Sequence, residues 1–166
     1  LIGMGCVAKM IFSYAGNPGV GLLRRLRDSL ENGWPHRIEI VEHSHAALAH
    51  AYEAGASRLP FAVLRGYVGT DFAAVNPEIR SVTCPFTGDE LAAVPAINPD
   101  ITFIHALKAD RAGNVLIEGI TGVQKEAVLA AGKAVVTVEE TVDSLDPHPN
   151  ALVLPHWVVT AIAEVP

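Results

Sequence analysis

The apolar positions of this chain change period as the sequence runs. Lys9 to Tyr14 is a short apolar run closed by Gly16-Asn17-Pro18-Gly19, and it reads as a strand. Val20 to Leu30 then places apolar residues at 20, 22, 23, 26 and 30, the spacing of one helix face, with Asn32-Gly33 as its stop. Arg37 to Glu42 alternates as a strand does. Ala46 to Ala56 is Ala-rich, with Ser44 as candidate N-cap and Gly55 at its end, and it predicts a helix. Pro60 to Arg65 predicts a further strand. From Gly66 to Pro99 turn residues dominate, with Ser81 to Thr83 and Leu91 to Pro95 as short runs, so a β-rich excursion is expected. Ile101 to Ala106 and Val115 to Ile117 predict strands around a turn at Asp110 to Asn114, and Val123 to Ala131 predicts a helix closed by Gly132. Ala134 to Val138 is nearly continuous in apolar residues and is expected to be buried on both faces. Leu152 to Leu154 and Val158 to Ile162 finish the pattern. Strands alternating with helices predict an α/β fold: an open, mainly parallel sheet with flanking helices, without repeat or linker.

Composition sharpens this picture. The 166 residues match one domain or most of one, expected to span residues 1–166. Half are hydrophobic and only 6% aromatic, so the core must be built from Ala, Val, Ile and Leu. Twelve basic against eighteen acidic residues give a net charge of −6, which argues against a nucleic-acid surface. Cys6 and Cys84 make neither a disulfide framework nor a metal knuckle, and a reducing cytoplasm is the expected compartment. No run reaches the roughly 18 uncharged apolar residues of a membrane span. The chain opens on Leu1 and closes on Ala163-Glu164-Val165-Pro166; both ends read as cut edges.

In an open parallel sheet, ligands sit beyond the carboxyl ends of the strands, which selects four segments. "YAGNPGVG" is Gly-rich and opens a helix, but matches neither phosphate-loop nor dinucleotide spacing; its plain reading is a tight turn. "VEHSH" crowds Glu42, His43, Ser44 and His45 between a strand end and a helix start. Ser44 reads there as an N-cap, whereas Glu42 and the imidazoles are acid/base or oxyanion-stabilising candidates. His43 and His45 lack a third ligand at metal spacing, so no metal is expected. "RGYVGTD" sets Gly66, Gly69 and Thr70 beside Arg65, where small residues admit close backbone approach. "HALKADRAGN" offers His105, Lys108 and Asp110 to a phosphate or a partner chain, or folds as an exposed hairpin on its Gly113-Asn114 signal.

The segment "VEHSHAALAHAYEAGASRLPFAVLRGYVGTD" resembles the A (α) subunits of the class I CoA-transferases, most of all the glutaconate CoA-transferase A-type group. Ala54-Gly55-Ala56, Leu59-Pro60-Phe61 and Val68-Gly69-Thr70-Asp71 carry the resemblance, and "AKMIFSYAGNPGVG", "TCPFTGDELAAVPAINPD", "HALKADRAGN" and "VVTVEE" follow in order. The resemblance implies the open α/β fold of that family, which is NagB/RpiA-like, with coenzyme A as substrate and no tightly bound cofactor. A glutamate carboxylate of the partner B (β) subunit, in a Glu-Asn-Gly setting, attacks the acyl-CoA thioester and passes through an anhydride to a glutamyl-CoA thioester. The A-type chain then holds no catalytic residue and lines the acyl pocket, here with Ser44, His45, Arg65, Gly66, Gly69 and Thr70 for the acyl-CoA and carboxylic acid substrates. Glu31-Asn32-Gly33 imitates the catalytic signature, but stands at the end of an amphipathic run, where it reads as a helix stop. The family's N-terminal Gly-rich stretch has no counterpart here, so the N-terminal part of the subunit is expected to be missing.

Two other readings compete. A ring-opening acyl-CoA hydrolase of the same family uses a glutamate of its A-type chain near "VEHSH"; that place falls on either Glu42 or His45 here, and Glu42 is the alternative catalytic residue. A non-catalytic acyl-CoA or sugar-phosphate sensing domain is the third, because fold alone does not set function.

Overall fold

The computed structural model describes residues 1–17, 19, 21 and 23–165. In chain order the elements are β1 (Lys9–Phe12), α1 (Arg24–Arg27), β2 (Glu39–Glu42), α2 (His45–Ala56), β3 (Phe61–Leu64), α3 (Phe72–Val75), β4 (Arg80–Thr83), β5 (Glu90–Pro95), β6 (Ile101–Asp110), β7 (Val115–Ile117), α4 (Gln124–Ala130), β8 (Lys133–Val142), β9 (Leu152–Leu154) and β10 (Ala161–Glu164). They fall into two compact units, one of Leu1–Leu48 and Leu64–Ala93, the other of Ala49–Val63 and Val94–Pro166.

In the first unit β1 and β2 pair in parallel, Lys9 opposite Glu39 and Phe12 opposite Glu42. β4 and β5 form an antiparallel pair, Arg80 opposite Ala93 and Thr83 opposite Glu90. The expected helix over 20–30 is shorter: α1 covers Arg24–Arg27 and widens into a π turn over Asp28–Asn32 that Gly33 ends at φ 66°. Positions 20 and 22 of that expected helix lie outside the described residues. The widening puts Ser29 inward, where its hydroxyl donates to His36 O at 2.7 Å and accepts the Ile38 N–H at 3.3 Å. That bridge aims the chain into β2.

In the second unit one mixed sheet runs β10-β8-β6-β7-β9. β6, β8 and β10 are parallel; β7 pairs antiparallel with both β6 and β9. Its core is built from Ala106, Ala109, Val115, Val128, Val136 and Val138, with Leu154, as an aromatic-poor chain requires. Thr102 Oγ1 donates to Ala127 O at 3.0 Å and ties α4 to the sheet. Three expectations are corrected here. The β6 strand runs on through Asp110, because His105 to Asp110 stay in parallel register with Thr137 to Val142. β8 is not buried on both faces: Ala134, Val136 and Val138 are buried, but Val135 and Thr137 only in part, and it is short β7 whose three residues are all buried. Val158 lies in a 3-10 turn, and the last strand begins at Ala161.

Gly55 does not end α2. It is helical, and the reversal falls at Arg58, at φ 57°, where the Arg58 and Leu59 N–H groups donate to Gly55 O and Ala54 O. The glycine is required by close packing in the second unit, since any Cβ there would collide with the carbonyl oxygen of Ile97.

Candidate functional site

The carboxyl end of β2 opens into a cleft of about 390 Å³. Ile40, Val41 and Glu42 form one wall; Asp71, Phe72 and Asn76 belong to the other. The charged lining is therefore acidic on both sides. Asn76 is buried and cross-ties the walls: its Nδ2 donates to Glu42 O at 2.9 Å, and its Oδ1 accepts the Glu78 N–H at 2.9 Å. Glu42 ends the strand exposed, with its main chain held by Asn76 and its carboxylate free to reach the cleft.

Ser44 is the N-cap of α2, as its place in the sequence predicts. Its Oγ accepts the Ala47 N–H at 3.2 Å and its carbonyl accepts the Leu48 N–H at 3.0 Å. That leaves the hydroxyl committed to capping rather than to nucleophilic work. Its own N–H donates to the Tyr67 hydroxyl at 2.6 Å, so the structure brings "VEHSH" and "RGYVGTD" together. His45 opens the helix and is exposed. In the Arg65–Asp71 loop, Thr70 Oγ1 donates to Tyr67 O at 3.0 Å, and Gly69 takes φ 75°, a left-handed turn that favours glycine. Gly66 is exposed. Arg65 is drawn elsewhere, to Asp89 at 2.7 Å. The Arg65 guanidinium, with help from Thr87, holds the Asp89 carboxyl below the usual carboxylate range.

Behind this surface lie His43, an acid/base candidate in the sequence that the fold buries, and Tyr67, which sequence reasoning missed. His43 is 3% exposed and Tyr67 3% exposed, their rings stacked with centroids 6.5 Å apart. His43 Nε2 lies 3.9 Å from Glu78 Oε2, Glu78 accepts from Lys9 at 2.7 Å, and Lys9 also meets Glu39 at 3.2 Å. His43 Nδ1 is buried without a partner among the described residues. Burial holds the His43 pKa below its ordinary 6.5, against the opposing pull of the Glu78 carboxylate. The imidazole is thus neutral in the fold, while the unfolded chain takes up a proton near its ordinary value. Stability is then lost as pH falls below that value. The thermal midpoint is expected to drop between about pH 7.5 and 5, and His43→Gln should flatten that slope; equal slopes in both proteins would remove His43 as the cause.

The other candidates disperse. In "YAGNPGVG" the Gly19 N–H is taken by Asn17 Oδ1 at 2.9 Å, and Asn17 and Gly21 exchange backbone hydrogen bonds, so these N–H groups are engaged within the segment; Pro18 and Val20 of that segment lie outside the described residues. Lys108 pairs with Glu140 at 2.8 Å, His105 Nδ1 lies 2.9 Å from Thr137 Oγ1, and Asp110 holds the Asn114 N–H and side-chain amide at 2.8 Å each. "HALKADRAGN" is therefore a strand and its hairpin, Gly113 turning at φ 90°. Glu31 is exposed and ion-paired with Arg27 at 2.8 Å beside the helix stop. Among the described residues no group of three or more His, Cys, Asp or Glu is placed to hold a metal ion, and no helix is long and apolar enough to cross a membrane.

A parallel strand end, a polar turn and an acidic cleft together form a candidate small-molecule site on an α/β scaffold. The chain belongs to the coenzyme A transferase family, whose profile matches residues 1–165. It is 61% identical over all 166 residues to the A-type chain of the 3-oxoadipate CoA-transferase of Pseudomonas knackmussii, and spans 59% of that protein. It is 30% identical over 141 residues, 78% of the chain and 47% of the relative, to a cholesterol ring-cleaving hydrolase subunit (IpdA) of Rhodococcus jostii. The solved glutaconate CoA-transferase of Acidaminococcus fermentans matches the whole chain with a TM-score of 0.88 at 26% identity, over 57% of its own length. The chain thus spans about half to three-fifths of these three relatives, and the resemblance to class I A-type chains and the α/β fold both stand.

Proposed function

We propose that the protein carrying this chain is the A-type chain of a heteromeric CoA-transferase, working in the cytoplasm with a B-type partner. The carrying observation is the 61% identity along the entire chain to a protein named as the A-type chain of a 3-oxoadipate CoA-transferase. A short oxo-dicarboxylic acid of that kind is the proposed CoA acceptor, and coenzyme A is a substrate rather than a resident cofactor. The partner's glutamate attacks the thioester, while this chain shapes the acyl end of the pocket with Ser44, His45, Gly66, Gly69 and Thr70. Arg65 serves the same loop from its pair with Asp89.

The cleft fits this division of labour. Its charged lining, Glu42 and Asp71, repels a carboxylate ligand, so the counter-charge for a dicarboxylic acyl group falls to the partner. The hydrolase reading has one observation of its own, since Glu42 lines the cleft where a base for water would stand. The identity to the transferase chain, twice that to the hydrolase chain, favours transfer. Nothing favours the sensing-domain reading.

Product analysis tests the proposal. The full-length protein with its partner, given a panel of short acyl-CoA donors and 3-oxoadipate, is expected to form 3-oxoadipyl-CoA as the donor is consumed. Free CoA in place of an acyl-CoA product would show a hydrolase.

A further inference from the structure

Tyr67 stands between two parts of the site. Its ring packs against Phe72 with centroids 5.3 Å apart and against His43 at 6.5 Å. Phe72 and Glu42 line the same cleft. A ring serving only as filler in this stack would work as phenylalanine, with no polar atom to satisfy. The hydroxyl instead accepts the N–H of Ser44 at 2.6 Å, shorter than the usual 2.9–3.0 Å for such a bond. Ser44 is held a second time through its side chain, which caps the Ala47 N–H. The loop that presents the ring is itself closed: the Val68 N–H donates to Arg65 O at 3.1 Å, and both the Thr70 hydroxyl and its N–H donate to Tyr67 O.

We propose that Tyr67 is a positioning residue for the acyl site. Its hydroxyl fixes the Glu42–His45 turn against the loop that carries Gly69 and Thr70, so that the strand end, the first turn of α2 and the cleft wall at Phe72 keep one geometry. The role rests on the CoA-transferase reading of the site. A displacement of about 1 Å in such a frame costs as much as 100-fold in rate. The effect falls on turnover more than on binding, because the hydroxyl touches backbone rather than substrate.

Tyr67→Phe in the full-length protein with its partner is the test, since phenylalanine keeps the stacked ring. With a short acyl-CoA donor and 3-oxoadipate, kcat is expected to fall about 10- to 100-fold while KM stays within about threefold. The Ser44 amide, followed by hydrogen exchange, is expected to exchange about tenfold faster or more. Unchanged kcat in an active complex overturns the proposal, as does a loss seen only in KM or in thermal midpoint. If the wild-type complex transfers no CoA, the functional reading fails separately, and Ser44 exchange alone decides: faster exchange in the variant upholds the positioning bond, and an unchanged rate removes it.

Discussion

Gly55→Val is expected to leave little or no soluble, folded protein, and Gly55→Ala to fold with a thermal midpoint lowered by roughly 2–12 °C. The side chain has nowhere to go. A Cβ at this position would collide with the backbone carbonyl oxygen of Ile97, and would also stand 3.0 Å from Ala130 Cβ and 3.1 Å from Asn98 Oδ1. The obstacle is main chain, so no rotamer change relieves it. Nor can the segment retreat, because the Ile97 N–H donates to Ala51 O at 3.0 Å and the Ala96 N–H to Pro60 O at 3.1 Å. Overpacking a sealed contact by one methyl costs about 1–3 kcal/mol, and a branched residue inside the helix costs more, against a total stability of only about 5–15 kcal/mol. Soluble yield and a thermal melt of both variants measure this. A Gly55→Ala protein melting within about 2 °C of the parent would show that α2 and the 96–98 segment do not touch as described.

The second large effect is the dependence of activity on the partner. The full-length protein alone is expected to turn over acyl-CoA about 1,000-fold more slowly than the complex, or not measurably. On this chain two candidate nucleophiles, Ser44 and Glu31, are engaged elsewhere, and Glu42, which lines the cleft, is the alternative. Ser44 Oγ caps α2, and Glu31 is exposed in its pair with Arg27. The acidic cleft lining offers no attraction for a second carboxylate. Adding the cognate B chain should restore transfer in proportion to the complex formed, measured by following acyl-CoA products after titration. Full activity without the partner would place the chemistry on this chain and promote Glu42.

Much of the architecture is legible in the sequence because it is written in local signals. The Ala-rich α2 behind Ser44, the β2 alternation and the Gly113-Asn114 hairpin need no distant residue to be recognised. What escapes depends on pairing across the chain. The predicted strand stops at Ala106 because Lys108 and Asp110 look solvated one by one; in the sheet the extension is matched across β6 and β8, Lys108 pairing with Glu140 as His105 meets Thr137. Periodicity over-extends the 20–30 helix because it does not register the Asn17–Gly21 turn before it or the inward Ser29 that widens its end. At the site, Ser44 as cap and Glu42 at a cleft are readable from strand-end placement. The roles of His43 and Tyr67 are not, since burial and stacking over 24 residues of separation leave only one trace: a lone tyrosine in a polar, glycine-flanked loop of an aromatic-poor chain. Arg65 reads as a ligand group in the sequence, and its commitment to Asp89 belongs to a contact that no spacing announces.

The proposed roles divide between two chains, with the nucleophile on the B chain and the acyl pocket lined by this one. Borohydride trapping of the assembled complex after acyl-CoA addition, followed by peptide mapping, tests that division most directly. The predicted result is a reduced, labelled glutamate on the B chain, with Glu31 and Glu42 unmodified. A label on Glu42, or on any glutamate of this chain, would contradict it.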